Sequence, residues 1–272
     1  MDLTKDNITE LIKKIAIPAS VGTFFQTMYN LVDSKFAGLI SPEALTAIVK
    51  SFPIYLIIIA ASVGISAGTT ALISNTLGQK DTEKASVLFA QSIIVALLIT
   101  FVVTFIGIAS IKDILIILKS NNQIISYATD YMNVIFSGSI VIFLLVTINA
   151  SLVSRGDTKS YRNVLIFSFF LNILLNPLFI YGFYLIPAMG ISGIALATIV
   201  SELIGLIYLI YKINKTEIRE YLSPECFKPK IALISDILKQ AIPSGLSMGM
   251  VGFGVFILIY LVSSYGDFSA GG

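Results

Sequence analysis

Two carboxylates fall in apolar stretches that otherwise hold no charge, Asp33 and Glu202. An ionisable side chain at membrane depth is costly, so it is held by partners or lines a polar path. Asp33 does not stand alone. Thr23, Gln26, Asn30 and Asp33 are separated by three, four and three residues, which on a helix places them on one face. Such a stripe is expected to line a polar cavity. Ser168, Asn172 and Asn176 follow the same logic at intervals of four, and Pro177 comes next. A proline inside a helix removes a backbone donor, so the carbonyl of residue 173 is expected to be a free acceptor. Thr198 and Glu202 form a third pair, four apart, and share a face.

The chemistry these side chains can do is oxygen chemistry. Carboxylate, amide carbonyl and hydroxyl oxygens suit a hard cation such as Na+, and a lone carboxylate away from water suits a proton. Asp33, Asn172, Asn176 and Thr198 are the expected ligands, with Glu202 as a possible second carboxylate and Thr23, Gln26 and Asn30 as the polar cavity lining. A polar clamp between helices uses the same residue types, so that reading stays open beside the cation site.

Composition says what must position them. Of 272 residues, 56% are hydrophobic and 12% charged, and mean hydropathy is +0.90. Soluble domains run at about 25% charged, so the chain reads as an all-α polytopic membrane protein. Charge-free stretches, split at Pro187 and Gly190, predict seven helices near 12–37, 45–77, 85–111, 125–153, 163–185, 190–211 and 236–264. At ~1.5 Å per residue, Asp33 lies ~22 Å beyond Pro18, Asn176 ~21 Å beyond Arg162 and Thr198 ~12 Å below Gly190. These distances bring the four candidate ligands to one level.

Orientation follows from basic residues. With the N-terminus in the cytoplasm, the inner segments carry 14 Lys and Arg and the outer loops carry two, Lys112 and Lys119. Lys35 and Lys50 sit near outer helix ends, where their long stems can snorkel. There is no Trp, so the interface belts are expected to use the 12 Tyr. The chain has no His and a single Cys, Cys226, which excludes His-based catalysis, an intrachain disulfide and a Cys-cluster metal site. A net charge of +2 argues against nucleic acid as a partner. The N-terminal residues are not those of a signal peptide.

Ile12-Lys13-Lys14-Ile15-Ala16-Ile17-Pro18-Ala19 recurs as Ile237-Leu238-Lys239-Gln240-Ala241-Ile242-Pro243-Ser244, with Ile, Lys, Ala, Ile and Pro at an offset of 225. A repeat in the same orientation is a transporter plan. Gly64 and Gly68 make a small-xxx-small pair, read as close helix packing.

Several segments together resemble the multidrug and toxic compound extrusion (MATE) family of secondary transporters. They are Pro18 followed by Asp33 and Phe36-Ala37-Gly38; Ser51-Phe52-Pro53 leading to Leu77-Gly78-Gln79-Lys80-Asp81-Thr82-Glu83-Lys84-Ala85; Arg155-Gly156-Asp157-Thr158-Lys159; Asn172-Ile173-Leu174-Leu175-Asn176-Pro177-Leu178-Phe179-Ile180; and Gly193-Ile194-Ala195-Leu196-Ala197-Thr198. The resemblance implies a six-helix lobe at 1–227 and the start of a second lobe, one helix, at 228–272. It further implies a multi-pass protein of the cytoplasmic membrane that exports drug-like organic cations from a cavity between two lobes. Na+ or H+ is the coupling ion, and no other cofactor is implied. The family's N-lobe cation site falls on Asp33, Asn172, Asn176 and Thr198. One departure is that Asn176 stands where the family usually has Asp. Pro18 is expected to act as a hinge when charge at Asp33 is neutralised. The last residues, 266–272, look like the family's turn after the seventh helix, so a partial chain lacking its C-terminal lobe is expected. A flippase for lipid-linked saccharides would be expected to carry several basic residues in its spans, which hold almost none. No catalytic constellation points to an enzyme. A channel and a non-transporting role are the remaining alternatives.

Overall fold

The computed structural model describes residues 8–266. The repeat's first copy lies partly in residues whose side chains are outside this description, and the turn expected at 266–272 is outside it beyond Gly266. Seven long helices follow one another: α1 (Ile8–Ile40), α2 (Pro42–Gly78), α3 (Thr82–Ile117), α4 (Asn122–Val153), α5 (Lys159–Tyr181), α6 (Ile191–Ile213) and α7 (Ile231–Val262). Two 3-10 turns, Glu217–Arg219 and Pro224–Phe227, lie between α6 and α7. Six of these helices, α2 to α7, are long and apolar enough to cross a membrane. The polar residues of α1 dilute its apolar character, and it packs lengthwise on α5 and α2.

Local chemistry sets the boundaries. Ser41 Oγ accepts from the Ala44 N–H at 3.1 Å, ahead of Pro42 in the first turn of α2. Asp81 caps α3 through the Lys84 N–H at 2.9 Å, and Asn121 caps α4 through the Ile124 N–H at 2.9 Å. Each cap satisfies a backbone donor that the first turn of a helix leaves free. The fifth helix, 23 residues long, lies four residues earlier than the expected 163–185. It stops at Tyr181 because Gly182 takes φ +75, a left-handed conformation that glycine adopts without steric cost. Phe183, Tyr184 and Leu185 then form an exposed apolar loop, closed by a bridge between Phe183 and Ile186.

The core lies where α2, α4 and α6 meet, around Ile58, Ile65, Met132, Phe143 and Ile194. The most extensive helix contact is α2 on α7. A Cβ on Gly64 would stand 2.6 Å from the Ala241 carbonyl oxygen, and one on Gly68 equally close to that of Ile237. The glycine pair thus lets two backbones touch, as small-residue pairs in membrane helices do. Lys50 departs from the snorkelling expectation. It is fully buried, and its ammonium donates to the carbonyls of Leu118 and Lys119 at 3.1 and 3.4 Å, at the end of α3. A cation at a helix C-terminus meets the negative end of its dipole.

Candidate cation site

Three helices meet on one carboxylate. Asp33, 5% exposed, projects from α1 between α5 and α6. Its Oδ1 accepts from Asn172 Nδ2 at 3.1 Å and Asn176 Nδ2 at 3.0 Å, and its Oδ2 accepts from Thr198 Oγ at 2.9 Å. Asn172 and Asn176 are one turn apart on α5 and are tied together, Asn176 Nδ2 donating to Asn172 Oδ1 at 2.9 Å. The helix periodicity of α5 thus delivers two amides to one oxygen. All four side chains are buried. Three donors offset the loss of water around the charge, and bonds to a charged acceptor are the stronger kind.

The amides turn N–H toward Asp33, whereas the sequence suggested carbonyl oxygens there. Asn176 Oδ1 is left buried without a partner. A half-turn of the amide would present that oxygen instead, so the side chains fit either a bare carboxylate or a bound cation.

Beside Asp33 opens a cavity of ≈ 360 Å³. Asn30, Tyr29, Tyr55, Tyr131 and Thr198 form its polar wall, and Val255 and Ile259 bring α7 to its other side. Of the predicted polar stripe on α1, Asn30 faces this cavity. Thr23 is exposed, lines a separate surface hollow, and donates its hydroxyl to the Ala19 carbonyl at 3.1 Å. Gln26 is half-buried and does not line the cavity. Thr23 and Gln26 keep the helical face of Asn30 and Asp33 but lie along the axis from Asn30 by ~10 and ~6 Å, beyond the cavity. Pro18 lies within an unbroken α1. Glu202 sits one turn from Thr198, its Oε2 buried and unpaired. Among the described residues no group of three or more His, Cys, Asp or Glu could hold a metal, so a cation at Asp33 would depend on neutral oxygens.

Spacing alone did not single out the tyrosines. Tyr29 precedes Asp33 by four residues and lies on the same face, but tyrosine suits an interface belt equally well. Tyr29 and Tyr131 are buried, and with Tyr55 they surround the cavity.

A family model described as MatE matches residues 18–178. The chain is 29% identical to a probable multidrug resistance protein NorM of Thermotoga maritima, over 97% of this chain and 58% of that protein. It is 29% identical to a probable multidrug resistance protein YpnP of Bacillus subtilis, over 98% and 59%. A FAD transporter of Shewanella oneidensis is 27% identical over 73% of this chain and 44% of its own length. Among solved structures, an inward-facing multidrug resistance MATE transporter of the MOP superfamily superposes with a TM-score of 0.81 at 26% identity, over 94% of this chain and 59% of that one. A MOP superfamily transporter from Pyrococcus furiosus superposes with a TM-score of 0.80 at 28% identity, over 91% and 54%. The chain spans a little over half the length of the first curated relatives it matches.

Proposed function

Because the chain belongs to the MatE family, a family of multi-pass membrane transporters, we propose that it carries the cation site of an antiporter that exports organic cations across the cytoplasmic membrane in exchange for Na+ or H+. Its N-terminus lies in the cytoplasm, and a C-terminal lobe completes the pathway. The observation that carries this reading is Asp33: a buried carboxylate held by two amides and a hydroxyl, at the wall of a cavity that α7 shares. A cation entering that cavity neutralises Asp33 and frees its three donors. The amides then turn, Asn176 lending its unpaired oxygen, and the packing between α1 and α5 changes. That rearrangement is the step a carrier needs to link ion binding to a change of access.

The relative described as a FAD transporter favours a second reading, an anionic cargo, as does the flippase alternative. Among the described residues the cavity wall holds Asp33 and no lysine or arginine, which favours a cationic one.

The test is ion binding to the purified chain in lipid vesicles, read as stabilisation against heat by Na+ or by acid. A ligand that binds only the folded state raises stability by RT ln(1 + [L]/Kd), about 2.7 kcal/mol at 100 times Kd. Asp33→Asn is expected to abolish that rise. An Asp33→Asn chain that is stabilised as the parent is would overturn the reading.

A further inference from the structure

Away from the cation site, a groove of ≈ 350 Å³ runs between α5 and α6, lined by Asn163, Val164, Phe167, Ile204, Gly205 and Tyr208. Ser168 Oγ donates to the Ser201 carbonyl at 3.2 Å, and a Cβ on Gly205 would stand 2.4 Å from Val164 Cγ1. The two helices therefore run antiparallel, with the start of α5 beside the end of α6. Both are long and apolar enough to cross a membrane. Phe167 and Ile204 stand exposed along the groove.

The mouth of this groove is basic. On α5, Lys159 precedes Asn163 by four residues; on α6, Lys212 follows Tyr208 by four, with Lys215 in the turn just after. Positions four apart share a helix face, so both walls end in lysine. Arg162 joins them from the neighbouring face: its Nε and Nη2 donate to Asn163 Oδ1 at 3.2 and 2.8 Å. One groove atom thus turns the guanidinium to the mouth and leaves Nη1 out of the pair. Tyr211 holds Lys215, whose ammonium donates to the phenol oxygen and lies 4.2 Å from the ring centre. The nearest acids in sequence are engaged elsewhere. Asp157 accepts from the Ser160 N–H and hydroxyl at 3.0 and 2.6 Å, and Glu217 lies 3.6 Å from Arg155. Among the described residues, neither Lys159 nor Lys212 has an ion-pair partner.

Four cations at the end of an apolar groove complement an amphiphile with an anionic head. We propose that the groove holds an anionic phospholipid of the leaflet at this end of the bundle. Its phosphate is held by Lys159, Arg162, Lys212 and Lys215, and a stretch of one acyl chain lies on Phe167 and Gly205. Basic pockets between membrane helices suit such head groups. Arginine meets phosphate oxygens through charge-assisted bonds, and long lysine stems carry their ammonium groups to head-group level. Gly205, without a side chain, lets α5 and α6 close together at the floor of the groove. The first helix of the proposed second lobe, α7, packs on α2 and α3, which turns that lobe away from the groove and favours lipid as the occupant. With the N-terminus in the cytoplasm, the lipid belongs to the cytoplasmic leaflet. Its binding is independent of any ion at Asp33.

The chain has no tryptophan, so Phe167→Trp places a single fluorescent reporter in the groove. The full chain carrying it is reconstituted in phosphatidylcholine vesicles with increasing fractions of brominated phosphatidylglycerol or, separately, brominated phosphatidylcholine, and quenching is compared. The anionic lipid is expected to quench the groove reporter with about tenfold higher apparent affinity, which corresponds to ~1.4 kcal/mol. Phe105→Trp, on the exposed side of α3, is the reference and should be quenched equally by both lipids. Arg162→Gln should narrow the preference in the groove, and Gln at all four basic positions should remove it. Ile207→Trp, exposed beside the groove, is the reporter if Phe167→Trp does not fold. Equal quenching by the two lipids, or a preference that survives the four substitutions, overturns the proposal. A groove reporter that neither lipid quenches, beside a quenched reference, also overturns it and shows that protein covers the groove. A preference abolished by millimolar inorganic phosphate would reveal a phosphate site that needs no lipid, and overturns it as well.

Discussion

Asn176 shows how much one side chain decides. Its amide group bonds Asp33 and Asn172 at once, and its oxygen is left over. An aspartate at that position would bring a second charge to Asp33 and no donor. Thr198 supplies the only described hydrogen bond to Asp33 Oδ2. Thr198→Val keeps the shape and removes that bond, leaving a buried charged oxygen unpaired. The loss is expected at about 1.5–3 kcal/mol, visible as a lower unfolding temperature in detergent. An unchanged midpoint would show that water or another donor already serves Oδ2. The residues of this site were legible in advance because Asn172 and Asn176 recur at helical spacing on one helix, and Thr198 on the next matches them and Asp33 in depth. Tyr29 was not, because depth and spacing do not separate a cavity tyrosine from an interfacial one. The inward turn of the amide N–H groups was equally hidden, since an amide's spacing says nothing about which end it offers.

At the scale of elements, two of the contacts that hold α7 to the six helices before it can be tested separately. Gln91, fully buried on α3, clips the connecting segment: its Nε2 donates to the carbonyls of Cys226 at 2.7 Å and Lys228 at 2.9 Å, and its Oε1 accepts from the Lys230 N–H at 2.8 Å. Gln91→Leu leaves three backbone groups unpaired, each costing about 1–3 kcal/mol if it stays buried. The segment is therefore expected to come loose, and trypsin to cleave faster after Lys230, Lys228 being shielded by Pro229; cleavage at the parent rate would show that the clip is dispensable. The second contact is the glycine seam. A Cβ at Gly249 would lie 4.0 Å from that of Ala60, inside the ~3.5–4.5 Å that a disulfide spans. With Cys226 replaced by Ser, Ala60→Cys and Gly249→Cys should cross-link under mild oxidation, and adding Gly68→Leu should prevent it by forcing α7 off α2. Cross-linking that survives Gly68→Leu would show that the close seam is not needed. Helix number was readable from the charge-free runs, and the Gly64 and Gly68 pair announced a close partner. The identity of that partner was not readable, because a small-residue pair accepts any smooth helix. The end of α5 was missed for a related reason: Phe183, Tyr184 and Leu185 are as apolar as the helix before them, and only the left-handed backbone of Gly182 marks the stop.

Across the whole molecule, charge and apolar surface divide by position. The exposed sides of α3 and α7 carry Phe101, Phe105, Leu246, Met250 and Phe253, while Lys80 and Lys119 stand at opposite ends of α3 in left-handed turns. Orientation is expected from the excess of basic residues on one side. In a Cys226→Ser background, Lys119→Cys should react with a membrane-impermeant thiol reagent on intact cells, and Lys80→Cys only after permeabilisation. The reverse pattern would invert every statement about inside and outside.

The seam between α2 and α7 also has a consequence in time. Gly68 waits for Ile237, which lies 169 residues further along the chain. At ~5–20 residues per second of synthesis, the groove on α2 stands open to lipid for about 10–30 s before its occupant leaves the ribosome. Any apolar helix that reaches the groove first competes for it. Biogenesis of this protein is thus a race that the native helix enters late, and a substitution that widens the groove is expected to act first on yield in the membrane.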